Sequence, residues 1–116
     1  MKWKLTTAGG EPFALRRFLD ADGAKSQDYR LTLTNDSKYF AEGVEIRMEG
    51  EGGLGENEAD LKAGGKQLKL GNIGPGNHQV FYLRFQPKPK LDAGGKPVPS
   101  EAEVSLLISC SEWTGP

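Results

Sequence analysis

From Asp28 to Asp36 the chain reads DYRLTLTND, and its apolar residues return at every second position. Tyr29, Leu31 and Leu33 fall on one face, and Arg30, Thr32 and Thr34 on the other. A strand sorts this pattern into a wet and a dry face, whereas a helix scatters it around its circumference. VEIRMEG repeats the alternation, with Val44, Ile46 and Met48 inward and Glu45, Arg47 and Glu49 outward. HQVFYLRFQP is apolar on both faces, with Val80 and Tyr82 on one and Phe81, Leu83 and Phe85 on the other, which predicts a central strand covered on both sides. EVSLLIS completes the strong set, and WKLTT and KQLKL are weaker candidates. PFALRRFLD is ambiguous, because Phe13 and Leu15 alternate while Phe18 and Leu19 break the phase; a bulged edge strand and a single helical turn both fit.

The separators carry turn chemistry. The chain holds 16 glycines and seven prolines, residues that punctuate structure and disfavour helix interiors. TNDSKY, NIGPGN and three copies of Ala-Gly-Gly, beginning at Ala8, Ala63 and Ala93, part the alternating runs. The flanks of the three copies do not align, so they are recurring turns and not an internal repeat. Short strands divided by turns predict an all-β fold, an antiparallel immunoglobulin-like β-sandwich of about seven strands. The length of 116 residues suits a single domain over 1–116. Within it, residues 49–65 are expected to form a long, mobile, glycine-rich acidic loop.

Charge and cysteine usage narrow the function classes. Fifteen basic residues against sixteen acidic ones leave a formal charge of −1, without the clustered cations that phosphate binding requires, so nucleic acid is not an expected partner. No stretch approaches the roughly 20 apolar residues of a spanning helix. The N-terminal MKWKLTTAGGEPF lacks the apolar stretch and cleavage site of a signal peptide, which predicts a soluble chain, either cytoplasmic or cut from an exported protein. Cys110 is the only cysteine. It falls in phase with Val104, Leu106 and Ile108, which predicts a buried, inert wall position.

GEGGLG at 50–55 satisfies the spacing G-x-G-x-x-G. A dinucleotide site also needs a following helix whose N-terminus faces the pyrophosphate, and then a parallel strand. Here only ENEADLK follows before the next glycine pair, and Glu51, Glu56, Glu58 and Asp60 put negative charge where a phosphate belongs. DADG at 20–23 resembles the start of a calcium loop, but Ala24 and Lys25 occupy later ligand positions. A weak oxygen site around Asp20 and Asp22, shared with Asp28 or Asp36, is the residual metal expectation. His78, the single histidine, follows a turn and has no nearby triad or zinc partners in sequence. No set of nucleophile, base and oxyanion donors emerges, so neither catalysis nor a cofactor is expected.

Two stretches, LTLTNDSKYFAEGVEIRMEG and LGNIGPGNHQVFYLRFQP, are similar to segments of bacterial and archaeal immunoglobulin-like modules, the CARDB and related cell-adhesion or enzyme-accessory domains. The resemblance spans about residues 29–109. It implies a fibronectin-like or immunoglobulin-like sandwich serving as an accessory, adhesion or spacer unit. The chain departs from the usual pattern in lacking an export signal, and the Cys, Trp and Cys spacing of antibody domains is missing too. Physically, Asn35 and Asp36 are expected to cap their own backbone, and Gly74-Pro75-Gly76 to reverse the chain so that Leu70 and Ile73 pack beneath the strand from Val80 to Phe85.

Two non-catalytic functions follow. A protein-interaction or adhesion module would use a strand edge or the loops at one end of the sandwich. A carbohydrate-binding module would stack sugars on exposed aromatics, for which Trp3, Tyr39, Phe40 and Trp113 are the candidates. Rings near strand ends more often close the core, and Trp3 and Trp113 pack together if the first and last strands adjoin. Lys and Arg on outward faces favour a monomer, while a long unpaired edge strand offers a route to a two-fold dimer.

Overall fold

The computed structural model describes residues 2–20, 26–59, 61, 65–86, 88 and 90–114. Their strands are β1 (Trp3–Thr7), β2 (Arg16–Asp20), β3 (Gln27–Asn35), β4 (Phe40–Glu49), β5 (Gly52–Gly55) and β6 (Gln67–Ile73). The chain continues through β7 (His78–Phe85), β8 (Lys90–Leu91), β9 (Pro97–Val98), β10 (Glu101–Ser109) and β11 (Glu112–Thr114). One sheet has the order β1-β3-β7-β5. The other runs β11-β4-β10-β2, with β6 on β4 as well, and β8 pairs with β9 in a separate ribbon. Every pairing is antiparallel. The fold is an all-β antiparallel sandwich, as the alternation predicts.

Among the described residues there are eleven strands where about seven are expected. The additional ones lack the alternation that marks a strand in sequence: β5 is GGLG, β8 and β9 are two residues each, and β11 is divided from β10 by Cys110 and Ser111. Residues 49–65 are therefore not simply a loop. β5 pairs with β7, Leu54 also bridges to Gly65, and both Leu54 and Leu61 are buried. The GEGGLG motif has a packing explanation at Gly52. Its φ is +143°, and a Cβ there would come within 1.8 Å of the Arg84 carbonyl oxygen, a contact no side chain tolerates.

The core lies between the sheets. Leu31 and Leu33 of β3 and Phe81, Leu83 and Phe85 of β7 meet Ala41, Val44, Ile46 and Met48 of β4 and Val104 and Leu106 of β10, all buried. Burying each large apolar side chain of this set contributes about 1.5–3 kcal/mol before entropy is counted. Val80 and Tyr82, expected under a second layer, are instead half-buried on the outer face; β7 is central within its sheet but covered on one side. The inward set of β4 skips from Ala41 to Val44 because the register against β6 shifts there. Gly43 absorbs the irregularity at φ +61°, and a Cβ on it would stand 2.5 Å from Ser111 Oγ, opposite the break between β10 and β11.

PFALRRFLD resolves as the edge strand β2, not a helical turn. Its parity is the reverse of hydrophobic order. Arg17 lies opposite buried Val104, and its guanidinium carbon sits 4.4 Å from the Phe13 ring centroid and 6.0 Å from that of Tyr29. Phe18, one residue on, is 60% exposed. The ring of Phe13 meets Tyr29 edge-on at 5.2 Å, so Arg17 closes this side of the sandwich over an aromatic pair.

Candidate functional site

One end of the sandwich is built from the β3–β4 turn and the β6–β7 turn. Asn35, fully buried, joins them: its Nδ2 donates to the Tyr39 carbonyl at 2.7 Å and the Ile73 carbonyl at 2.9 Å. Its Oδ1 accepts from Ser37 Oγ at 2.6 Å. The amide thus ties together carbonyls of two turns, where sequence reasoning expects it to cap its own backbone. Backbone bonds complete the lattice, with Asn35 N donating to Asn77 O at 2.9 Å, Gly76 N to Asn35 O at 2.8 Å and Asp36 N to Lys2 O at 3.0 Å. Gly74-Pro75-Gly76 does reverse the chain, but it carries it from one sheet to the other, since β6 pairs with β4 and β7 with β3. Ile73 is buried in the shared core and Leu70 packs against it.

Tyr39 and Phe40 project from this end, 51% and 37% exposed, and do not serve as lids of the core. For Phe40 strand parity is the reason, while Tyr39 lies in the turn before β4 begins. Ala41 takes the inward position, so Phe40 and its cross-strand partner Thr114 turn outward. A Cβ on Gly74 would lie 3.5 Å from the Phe40 ring, which places the ring against the second turn.

Trp3 and Trp113 behave oppositely. Trp3 is aligned with inward-facing Asn35 and Trp113 with inward-facing Ala41, so both rings point between the sheets. They are half-buried, with centroids 5.1 Å apart and planes inclined at 47°. The first and last strands belong to different sheets and adjoin across the gap, which brings the tryptophans together as anticipated. The structure therefore gathers the four aromatic candidates at one end but does not align them into a coplanar strip.

Beside the tryptophans an open cleft of about 400 Å³ is lined by Trp3, Ile108, Ser109, Cys110 and Trp113. Cys110 is half-buried just beyond β10 instead of fully walled in, and burial pushes its thiol pKa up. A thiol so shifted is a poor thiolate nucleophile. A second cleft of about 410 Å³ on the outer face lies over Gly43, Glu45, Lys69 and Gly71. Sequence reasoning misses both, because each depends on which strands end early and where glycines align across a sheet.

Two forked ion pairs link neighbouring strands. Arg84 holds Asp28 through two hydrogen bonds of 2.8 Å, which lower the carboxyl's pKa and raise the guanidinium's. Arg16 and Glu103 form a second forked pair, at 2.5 and 3.1 Å, with the same directions of shift. Asp28 is therefore engaged by Arg84. Asp22, Ala24 and Lys25 of the calcium expectation lie outside the described residues, and Asp20 is placed by its backbone as the last residue of β2. Among the described residues no group of three or more His, Cys, Asp or Glu side chains could hold a metal ion. His78 is exposed at the start of β7. No described helix is long and apolar enough to cross a membrane. Comparison with known protein families, curated proteins and solved structures finds no match to this chain.

Proposed function

We propose that this chain is a non-catalytic, immunoglobulin-like module that docks a protein partner through the end bearing Tyr39 and Phe40, as an adhesion, accessory or spacing unit of a larger protein or complex. The observation that carries this reading is the pairing of two exposed rings with a turn fixed from beneath by the buried amide of Asn35. Aromatic anchors on a rigid support lose little conformational entropy on binding, which is the usual physics of an interface hot spot. The resemblance of residues 29–109 to CARDB-like accessory domains supports the same role.

A carbohydrate-binding role is the second reading, and it rests on the same two rings. It draws less support, because Trp3 and Trp113 face inward and are spent on each other. The test is a binding screen with the wild-type chain and a Tyr39→Ser/Phe40→Ser variant, using cross-linking in the producing cells alongside a glycan array. The expected result is a protein cross-linked by the wild type and lost with the variant, with thermal unfolding unchanged and the array blank. A glycan signal that the double substitution abolishes would replace protein docking with carbohydrate binding.

A further inference from the structure

The connection from β7 to β10 forms a ribbon of its own. β8 and β9 pair only with each other, Lys90 against Val98 and Leu91 against Pro97. From Gln86 to Pro97 every described residue is exposed, Leu91 at 59%. A ten-residue strand spans about 33 Å, yet the molecule is 61 Å long and only 25 Å across, so it reaches well past its strands. The ribbon's turn is preformed. Asp92 N donates to Lys96 O at 2.9 Å and Gly95 N to Asp92 O at 3.0 Å, while the Asp92 carboxylate accepts from Gly94 N and Lys96 N, both at 2.9 Å. Lys88, Lys90 and Lys96 make no ion pair or side-chain hydrogen bond among the described residues. Asp92 is the one acid of this segment. With three of the chain's fifteen cations and one of its sixteen anions in the arm, twelve cations against fifteen anions remain elsewhere. The near-zero total conceals a cationic arm on an anionic body.

We propose that the β8–β9 arm is a membrane-surface anchor that meets an anionic lipid headgroup layer tip first, with Leu91 entering the layer and Lys88, Lys90 and Lys96 lying against the headgroups. Charge and shape select this occupant. Three unpaired ammonium groups fit an anionic partner, and juxtamembrane lysines bind anionic headgroups in this way. Addition of a peptide strand needs a longer edge, since each ribbon strand has two residues and Pro97 of β9 has no N–H. A lipid layer yields around a narrow tip, taking the apolar side chain and the charges together. The body carries the excess of acid and is repelled by the same layer. Repulsion is screened beyond about 8 Å at physiological salt, and the chain from Gln86 to Leu91 reaches up to about 17 Å, so the arm can hold the body outside that range. β7 begins beside the turn that carries Tyr39 and ends at Phe85, so the arm leaves from the opposite end and keeps both exposed rings free. The anchor does not rest on the docking role of those rings.

Flotation of the full chain with lipid vesicles tests this anchor. At about 50 mM salt the wild type is expected to float with phosphatidylcholine vesicles containing about one-third phosphatidylserine, and not with phosphatidylcholine alone. K88E/K90E/K96E is expected to abolish binding and K88R/K90R/K96R to keep it. Each single Lys→Gln change should weaken it about five-fold, and L91S about ten-fold. Circular dichroism should stay unchanged in all of them, because these side chains lie outside the core. A wild type that does not float with the anionic vesicles overturns the proposal. So does equal binding to both kinds of vesicle, or binding indifferent to the lysine reversal or to L91S. Retardation of duplex DNA by a chain that ignores the anionic vesicles would assign the arm to nucleic acid instead.

Discussion

Two pairs of aromatic residues, close together in the fold, have opposite fates. Trp3 and Trp113 turn into the gap between the sheets and meet each other at a tilt, whereas Tyr39 and Phe40 are exposed. Hydrophobicity does not separate them, since tryptophan and phenylalanine both gain by burial. Register does. Trp113 shares the parity of Ala41, Phe40 has the other parity, and Trp3 lies across from Asn35, whose amide also holds the Tyr39 carbonyl. A pleated sheet gives alternate residues opposite faces regardless of their chemistry.

The largest effect on this contrast is expected from Asn35→Ala. It removes the donors to the Tyr39 and Ile73 carbonyls, the second of these bonds being buried, and should cost about 2–4 kcal/mol in urea unfolding. If that stability is unchanged, the tip is not held from beneath. Trp113→Ala comes next, at about 1–3 kcal/mol for a half-buried ring. A double-mutant cycle with Trp3→Ala should return a coupling of about 0.5–1.5 kcal/mol, and zero coupling would mean that the rings are merely adjacent. Tyr39→Ser/Phe40→Ser should leave stability within about 0.5 kcal/mol of wild type, since surface substitutions away from special features usually do. A larger loss would return these rings to the core.

The smallest effect is electrostatic and belongs to the scaffold away from both pairs. Arg84 depresses the Asp28 pKa in the folded chain, chiefly through its hydrogen bonds. The stabilisation is therefore fully present above the unfolded carboxyl's value, about 4, and is lost as pH falls through the lower folded value. Thermal scans between pH 5 and pH 2, taken as about those limits, should show a shallower acid loss for Asp28→Asn than for wild type; because the pair is largely exposed, the difference is small. Equal acid slopes would mean that the forked pair contributes nothing.

Much of the frame was legible from alternation alone. β3, β4, β7 and β10 correspond to DYRLTLTND, VEIRMEG, HQVFYLRF and EVSLLIS, and their inward residues are the core. The candidate site was legible only as a set of names. Tyr39 lies in the turn and Phe40 opens β4, so the exposure of Phe40 depends on the phase in which β4 starts, with Ala41 taking the inward position next to it. β5 was hidden because three of its four residues are glycine and carry no hydrophobic signal; its identity as a strand comes from β7.

By itself the sequence determined that this chain folds as antiparallel strands divided by glycine turns, because a two-residue period is a local property that needs no partner to be recognised. Only the tertiary structure decided which way the ambiguous residues face. In β2 it turned Arg17 inward over Phe13 and Tyr29 and left Phe18 outside, since the choice rests on rings supplied by the segment before β2 and by β3. It likewise turned the two tryptophans toward each other, because β1 and β11 meet only when the two sheets close.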